Sequence, residues 1–102
     1  MNLSGVRLAV LERDGYRCAY CGEPAPTIDH VLSKAEGRRC GIKRWDKRWI
    51  IAACRDCNLR KGPRRLVPAG YPHLAELIEL TGKVWQVWSG DPRELRAEVV
   101  LR

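Results

Sequence analysis

The chain has 102 residues, a mass of 11.6 kDa and a formal net charge of +7, from 19 Lys and Arg residues against 12 Asp and Glu residues. A chain this short buries only about 60–65% of its unfolded surface, so we expect one domain (1–102) with a small core and a structural staple. The hydrophobic fraction of 45% excludes a disordered tail, and the lack of a secretory pattern or of a run of roughly 20 apolar residues predicts an intracellular protein without a membrane partner.

The first half of the chain predicts a helix, a strand and a loop. The helix is predicted from Ser4, as its N-cap, to Asp14, and Gly15 ends it. A β-branched segment at 27–32 predicts a short strand, and 34–48, with Gly37 and Gly41, predicts a basic loop. The apolar side of the helix consists of Val6, Val10 and Leu11.

The second half predicts further short elements, and residues 84–88 fit a strand or a helix equally well. Together the elements indicate a small α+β domain. The remaining elements are an apolar run at 49–53, a helix over 56–61 ended by Gly62 and Pro63, a helix over 72–80 ended by Gly82, and a last helix opened by Asp91 and Pro92.

Four of the five cysteines form two Cys-x-x-Cys pairs, Cys18 with Cys21 and Cys54 with Cys57. Both thiolates of such a pair can face one ion, and two pairs complete a tetrahedral zinc site. Two disulfides are one alternative, but the reducing cytosol disfavours disulfides. A thioredoxin-like redox site is another, but it would need one Cys-x-x-Cys pair and not two matched pairs. The pattern predicts structural Zn²⁺, which would contribute folding free energy and lower the formal charge from +7 to +5. Cys40 has no assigned role.

Basic residues are concentrated between Lys34 and Arg65, where twelve basic and three acidic residues give a net charge of +9 and leave −2 for the rest of the chain. Such an excess is typical of a segment that binds a polyanion, because each neutralised phosphate releases condensed counterions. A solvated surface loop is the alternative. The candidate nucleic-acid contacts are Lys34, Arg38, Arg39, Lys43, Arg44, Lys47, Arg48, Arg60, Lys61, Arg64 and Arg65.

Three stretches together resemble the HNH endonuclease family, in its branch stapled by four zinc-binding cysteines. They are Arg13–Gly22 (RDGYRCAYCG), Asp29-His30, and Ala53–Gly62 (ACRDCNLRKG). The resemblance covers about residues 6–65. Residues 66–102 match no motif and are expected to close the core, to form a dimer or to dock a protein partner.

The resemblance implies a ββα-metal (His-Me finger) fold with flanking helices, in which two strands and a helix hold one divalent cation. Asp29 would be a metal ligand, His30 the general base, and Asn58 a second ligand through its amide oxygen. A neutral imidazole, with a reference pKa of about 6.5, can take a proton from the attacking water at physiological pH. Mg²⁺ or Mn²⁺ would supply positive charge at the phosphate. Because neighbouring side chains of a strand point to opposite faces, Asp29 and His30 can serve one centre only at a strand end or a distortion.

The family's middle asparagine, which holds the loop that carries the base, has no counterpart in this chain. The matching position is Trp49, and the nearby Asp46, Lys47 and Arg48 offer no asparagine. Either another group orients the loop of His30, or the alignment shifts by a residue or two, or activity is reduced.

Several of these residues also have a purely structural alternative. Asn58 is a good helix N-cap. Trp45 and Trp49 can stack on bases, but in a chain without Phe they are also candidates for the core. Trp85 and Trp88 are expected in the core or at an interface.

The expected function is a metal-dependent endonuclease that hydrolyses phosphodiester bonds in DNA by water attack. One alternative is a zinc-stapled module that binds nucleic acid with weak or no catalysis. Another is a zinc knuckle that binds only proteins, which would show no salt-sensitive binding to DNA.

Overall fold

Residues 3–94 are described by a computed structural model, in which helices and two small two-stranded sheets form an α+β fold. The α+β prediction is confirmed. In chain order the elements are α1 (Leu3–Arg13), β1 (Thr27–His30), α2 (Lys34–Arg39), a single 3₁₀ turn (Lys47–Trp49), β2 (Ile50–Ala53), α3 (Arg55–Lys61), β3 (Leu66–Val67), α4 (Leu74–Thr81) and β4 (Gln86–Val87).

The first sheet is an antiparallel pair of β1 and β2, with Thr27 opposite Ala53 and His30 opposite Ile50. All four residues of β2 are apolar and buried, as expected for a strand covered on both faces. Helix α3 follows β2 after a single residue, Cys54, whereas α2 and the 3₁₀ turn lie between β1 and β2. Because Thr27 lies opposite Ala53, α3 starts beside the start of β1, and its last residue, Lys61, reaches Asp29 near the end of β1.

Helix α1 packs on this sheet through Val6 and Val10, which form a buried cluster with Ile50. The predicted apolar side of the helix is therefore confirmed. The predicted N-cap is wrong, because Ser4 lies inside α1. Leu3 has a high helix propensity, so the helix includes a residue before Ser4.

The predicted basic loop at 34–48 is also partly wrong, since it contains α2 and the 3₁₀ turn. Both elements have a side-chain N-cap. The Ser33 hydroxyl caps α2 by accepting from the Glu36 amide at 3.1 Å, and the Asp46 carboxylate caps the 3₁₀ turn by accepting from the Arg48 amide at 3.1 Å. Gly37 suggested a loop, yet it is buried inside α2, where tertiary packing outweighs its low helix propensity.

The C-terminal part forms a second sheet, in which β3 and β4 pair in parallel with α4 between them. Residues 84–88 therefore contain a strand. Gly82 ends α4 with a φ of +65°, as predicted. Residues 92–94 are helical as expected after Asp91, and the rest of that predicted helix lies outside the described residues.

The second sheet closes the same core as the first. Leu77, Trp85 and Trp88 are buried in one cluster with Trp49 and the last three residues of β2. Three of the four tryptophans are thus core residues, and Trp45 packs at the edge of the α1 cluster. Within residues 3–94, no helix combines the length and the apolar character needed to cross a bilayer.

Candidate functional site

The four cysteines of the two Cys-x-x-Cys pairs converge on one point. Their Sγ atoms all lie within 4.8 Å of one another, and those of Cys21 and Cys54 are 3.7 Å apart. A tetrahedral zinc ion with Zn–S bonds of about 2.3 Å requires sulfur–sulfur distances of about 3.8 Å. All four thiols are free. The cluster therefore has the ligand type and the spacing to hold a metal such as zinc.

Local backbone structure, a turn in the first pair and the start of α3 in the second, positions the thiols of each Cys-x-x-Cys pair. In the first, a turn bonds the Gly22 amide to the Cys18 carbonyl at 2.9 Å. In the second, Cys54 is the N-cap of α3, and its sulfur accepts from the amide of Cys57 at 3.4 Å. Burial raises the pKa of the Cys21 and Cys57 thiols, so a bound cation would offset the free-energy cost of forming the thiolates.

The C-terminal part of the chain covers this cluster at Gly90, which has a φ of +90°. A Cβ atom on Gly90 would lie 3.0 Å from the Cβ of Cys21 and 3.2 Å from the sulfur of Cys57. The adjoining Trp88 packs on Tyr20 with ring centroids 5.4 Å apart. Sequence reasoning missed this cover, because no motif marks it.

A second candidate site is a cleft of about 230 Å³ beside β1 and the C-terminal end of α3. Asp29, His30 and Asn58 all line it, so the fold brings together the three residues that the family resemblance singled out. Arg64 and Arg65 line the same cleft. It therefore combines a carboxylate, an imidazole, an amide and cationic groups.

His30 is the last residue of β1, which is how it and the preceding Asp29 can line one cleft. Its Nε2 atom lies 2.8 Å from the carbonyl oxygen of Arg44. Since a carbonyl only accepts, Nε2 carries the proton and Nδ1 keeps the free lone pair. Burial lowers the pKa of His30, and the charges of Lys34 and Lys61 add to this, although the Arg44 carbonyl and Asp29 act in the opposite direction. The imidazole is thus neutral at physiological pH.

Asn58 lies within α3 and is fixed to the first strand. Its Nδ2 atom donates to the carbonyl oxygen of Ile28 at 3.1 Å, which leaves the amide oxygen for a ligand. The N-cap alternative for Asn58 is wrong, because Cys54 has that position.

Asp29 is buried and already has partners on both carboxylate oxygens. Its Oδ2 atom accepts from the Tyr20 hydroxyl at 2.8 Å and lies 3.1 Å from Lys61 Nζ, which is 3.3 Å from Oδ1. The Asp29 and Lys61 side chains are only 7% and 4% exposed. Carboxylate and amide oxygens are suitable ligands for a hard cation, but a cation at Asp29 would have to replace the ammonium group.

Trp49, at the position that the family pattern gives to asparagine, is a core residue and is only 2% exposed. Its backbone carbonyl accepts from the amide of Val31 at 3.0 Å, and its indole Nε1 has no hydrogen-bond partner within the described residues. The backbone carbonyl of Arg44 makes the direct contact with the His30 ring. A main-chain group therefore orients this imidazole.

The predicted nucleic-acid contacts divide into free and engaged side chains. Lys61 is buried against Asp29, and Arg65 binds the buried Glu36 at 2.7 Å, so neither presents a free cation at the surface. Arg48 is exposed and lies 3.5 Å from Glu76. The remaining ones are exposed, namely Lys34, Arg38, Arg39, Lys43, Arg44, Lys47, Arg60 and Arg64.

A wide groove of about 660 Å³ lies on another side of Asn58 and extends the candidate site. Arg7 from α1 and Arg55 from α3 line it with the exposed Leu59. Neither arginine was among the predicted contacts. Arg55 lies in the basic segment and could have been included, whereas the position of Arg7 depends on the packing of α1.

Comparison of the chain with protein-family models, with curated proteins and with solved structures finds no significant match. A function for the chain therefore has to be argued from the cysteine cluster and the cleft.

Proposed function

We propose that this chain is a metal-dependent endonuclease of the HNH type, which hydrolyses phosphodiester bonds in DNA and is stapled by a structural zinc ion. The observation that carries the proposal is the meeting of Asp29, His30 and Asn58 in one cleft, beside two antiparallel strands and the helix that follows them. The sulfur cluster at the start of that helix supports the zinc staple.

His30 is the general base in this proposal. The Arg44 carbonyl holds the Nε2 proton, so Nδ1 is the atom that accepts a proton from water. Burial lowers the pKa of the ring and keeps Nδ1 unprotonated near neutral pH. A base that is neutral and fixed in orientation suits the activation of water next to a phosphodiester.

Asp29 and Asn58 would hold the catalytic cation, Mg²⁺ or Mn²⁺, through a carboxylate and an amide oxygen. When bound, such an ion stabilises the negative charge that develops on the phosphate oxygens. With only two protein ligands, the remaining positions are open to water and substrate.

The exposed basic residues around the cleft would bind the phosphate backbone. Arg64 lines the cleft itself, while Lys34 and Arg44 line an adjoining depression beside His30. Contacts of this kind position a duplex without reading its sequence. DNA is therefore proposed as the partner, with no stated sequence preference.

Plasmid nicking with Mg²⁺ or Mn²⁺ tests the proposal. We expect the wild type to nick supercoiled DNA and His30→Gln to be slower by about 10²–10⁴-fold, because general-base catalysis contributes about that much. His73→Gln is the matched control, since His73 lies outside the cleft. Nicking by His30→Gln at the wild-type rate would contradict the role of His30.

A zinc-stapled module that binds nucleic acid without cutting it is the second candidate. The observation that favours it is the Lys61 ammonium on Asp29, which neutralises the proposed metal ligand. This module predicts salt-sensitive DNA binding with no nicking under any divalent cation. The two candidates are separated by the same plasmid assay run beside a DNA-binding measurement.

A further inference from the structure

Lys61 is a buried cation at the last residue of α3. Its ammonium lies 3.1 and 3.3 Å from the two oxygens of Asp29 and 3.5 Å from the carbonyl oxygen of His30. The lysine side chain is only 4% exposed. A buried ammonium with this set of contacts differs from the solvated phosphate contact that the basic segment suggested.

The pair bridges the same two elements as Asn58. Asn58 and Lys61 are three residues apart on α3, so they share one face of the helix, and both reach β1, at Ile28 and at Asp29. Lys61 therefore lies between the helix and the strand, where the proposed cation would also have to lie. The C-terminal end of a helix favours a positive charge, which further stabilises the ammonium there.

We propose that Lys61 is a tethered cation that neutralises Asp29 before the catalytic cation binds and leaves the carboxylate when that divalent cation arrives. A buried charge without a counter-charge is costly, and the Asp29 carboxylate is only 7% exposed, so its counter-charge is either Lys61 or a metal ion. The two carboxylate oxygens that contact the Lys61 ammonium are the ones that would bind the metal ion. This inference rests on the endonuclease function proposed above and names the residue that sets the metal affinity of that site.

Lys61 is thus a positioning residue for Asp29. Together with the Tyr20 hydroxyl, at 2.8 Å, it holds both carboxylate oxygens in place before the metal arrives. Because Lys61 also lines the cleft, the released ammonium stays beside the place proposed for the phosphate. The cost is a weaker apparent affinity for the metal, since the ion pair must be broken first.

Binding of Mn²⁺ alone, followed by electron paramagnetic resonance, tests the competition without any activity measurement. We expect Lys61→Met to bind Mn²⁺ about 10- to 100-fold more tightly than the wild type. A neighbouring positive charge lowers the affinity of a carboxylate for a proton by about one to three powers of ten, and the same competition applies to a metal ion. Lys61→Arg keeps the charge and is the matched control, expected to bind no more tightly than the wild type. Asp29→Asn should abolish this binding. Equal or weaker binding by Lys61→Met would overturn the inference.

The wild type provides a second test in case Lys61→Met does not fold. In a Mg²⁺ titration of protein labelled with ¹³C-lysine, the Cε resonance of Lys61 should move toward the position of the exposed lysines. Saturation with Mg²⁺ that leaves this resonance unchanged would overturn the inference even if the plasmid is still nicked. A shifted resonance without nicking would support the tethered cation and reject the endonuclease. Absence of any Mn²⁺ binding at Asp29 in all variants would reject both.

Discussion

The Nε2 atom of His30 lies 2.8 Å from the backbone carbonyl oxygen of Arg44, fourteen residues further along the chain. This contact ties the end of β1 to the loop that follows α2 within the basic segment. It fixes the ring by a main-chain group, which no side-chain substitution at position 44 removes directly. Of the three explanations for the missing asparagine, it favours the one in which another group orients His30.

The pKa of His30 is expected to lie below the usual value of about 6.5, because burial disfavours the charged ring. An NMR titration of the histidine ring protons should therefore show a midpoint below this value, and His30→Gln identifies the signal by removing it. A midpoint above 6.5 would contradict the burial of the ring. A cation bound at Asp29 would lower the pKa of His30 further, so the direction of the shift would stay the same.

The same shift gives the stability of the protein a pH dependence. Between the folded pKa and about 6.5 the unfolded chain binds more protons at His30 than the folded chain does. The contribution of His30 is fully present above pH 6.5 and is lost as the pH falls through the folded pKa. Urea denaturation should show a larger loss of stability on acidification for the wild type than for His30→Gln. An identical loss in both proteins would contradict this linkage.

Removal of the zinc ion should unfold the chain, since a site held by four thiolates contributes on the order of 10 kcal/mol to a small domain. Metal analysis of the wild type should find about one zinc per chain. Cys57→Ser is expected to lose the zinc and the cooperative unfolding transition, whereas Cys40→Ser is expected to keep both, because Cys40 lies outside the cluster. Full zinc content in Cys57→Ser would be incompatible with the proposed staple.

The cover over the sulfur cluster can be tested at Gly90. Gly90→Ala should destabilise the metal-loaded protein by about 1–3 kcal/mol, because it adds a close contact with Cys21 to an unfavourable positive φ. Gly70→Ala is the control, since Gly70 also has a positive φ but no neighbour within 4 Å of an added Cβ. Urea denaturation measures both variants, and an equal effect would mean that residue 90 does not pack on the cluster.

The parts of this site that sequence could predict are those set by local spacing. Two Cys-x-x-Cys pairs impose their own geometry, so the convergence of Cys18, Cys21, Cys54 and Cys57 follows from their type and order alone. The buried segment before the second pair was also predictable as an apolar run, although the run alone does not distinguish a strand such as β2 from a buried helix.

The parts that sequence missed depend on contacts between distant segments. Lys61 counts as a basic residue in any charge pattern, and only its packing against Asp29 makes it an internal cation. Gly90 has no motif, because its role comes from residues more than thirty positions away. Gly37 was misread because burial of α2 outweighs the local propensity of glycine.

The groove beside Asn58 predicts two further DNA contacts, Arg7 and Arg55. If each binds one phosphate, Arg7→Gln and Arg55→Gln should each reduce the slope of log affinity against log salt by about 1, since every phosphate contact releases about 0.9 counterions. Fluorescence anisotropy with a short duplex at several salt concentrations measures this slope. Arg17→Gln is the matched control, because Arg17 is exposed and lines neither the groove nor the cleft. If all three variants keep the wild-type slope, the bound DNA is limited to the His30 side of Asn58. If only Arg7→Gln and Arg55→Gln have reduced slopes, the bound DNA extends across α3 toward α1.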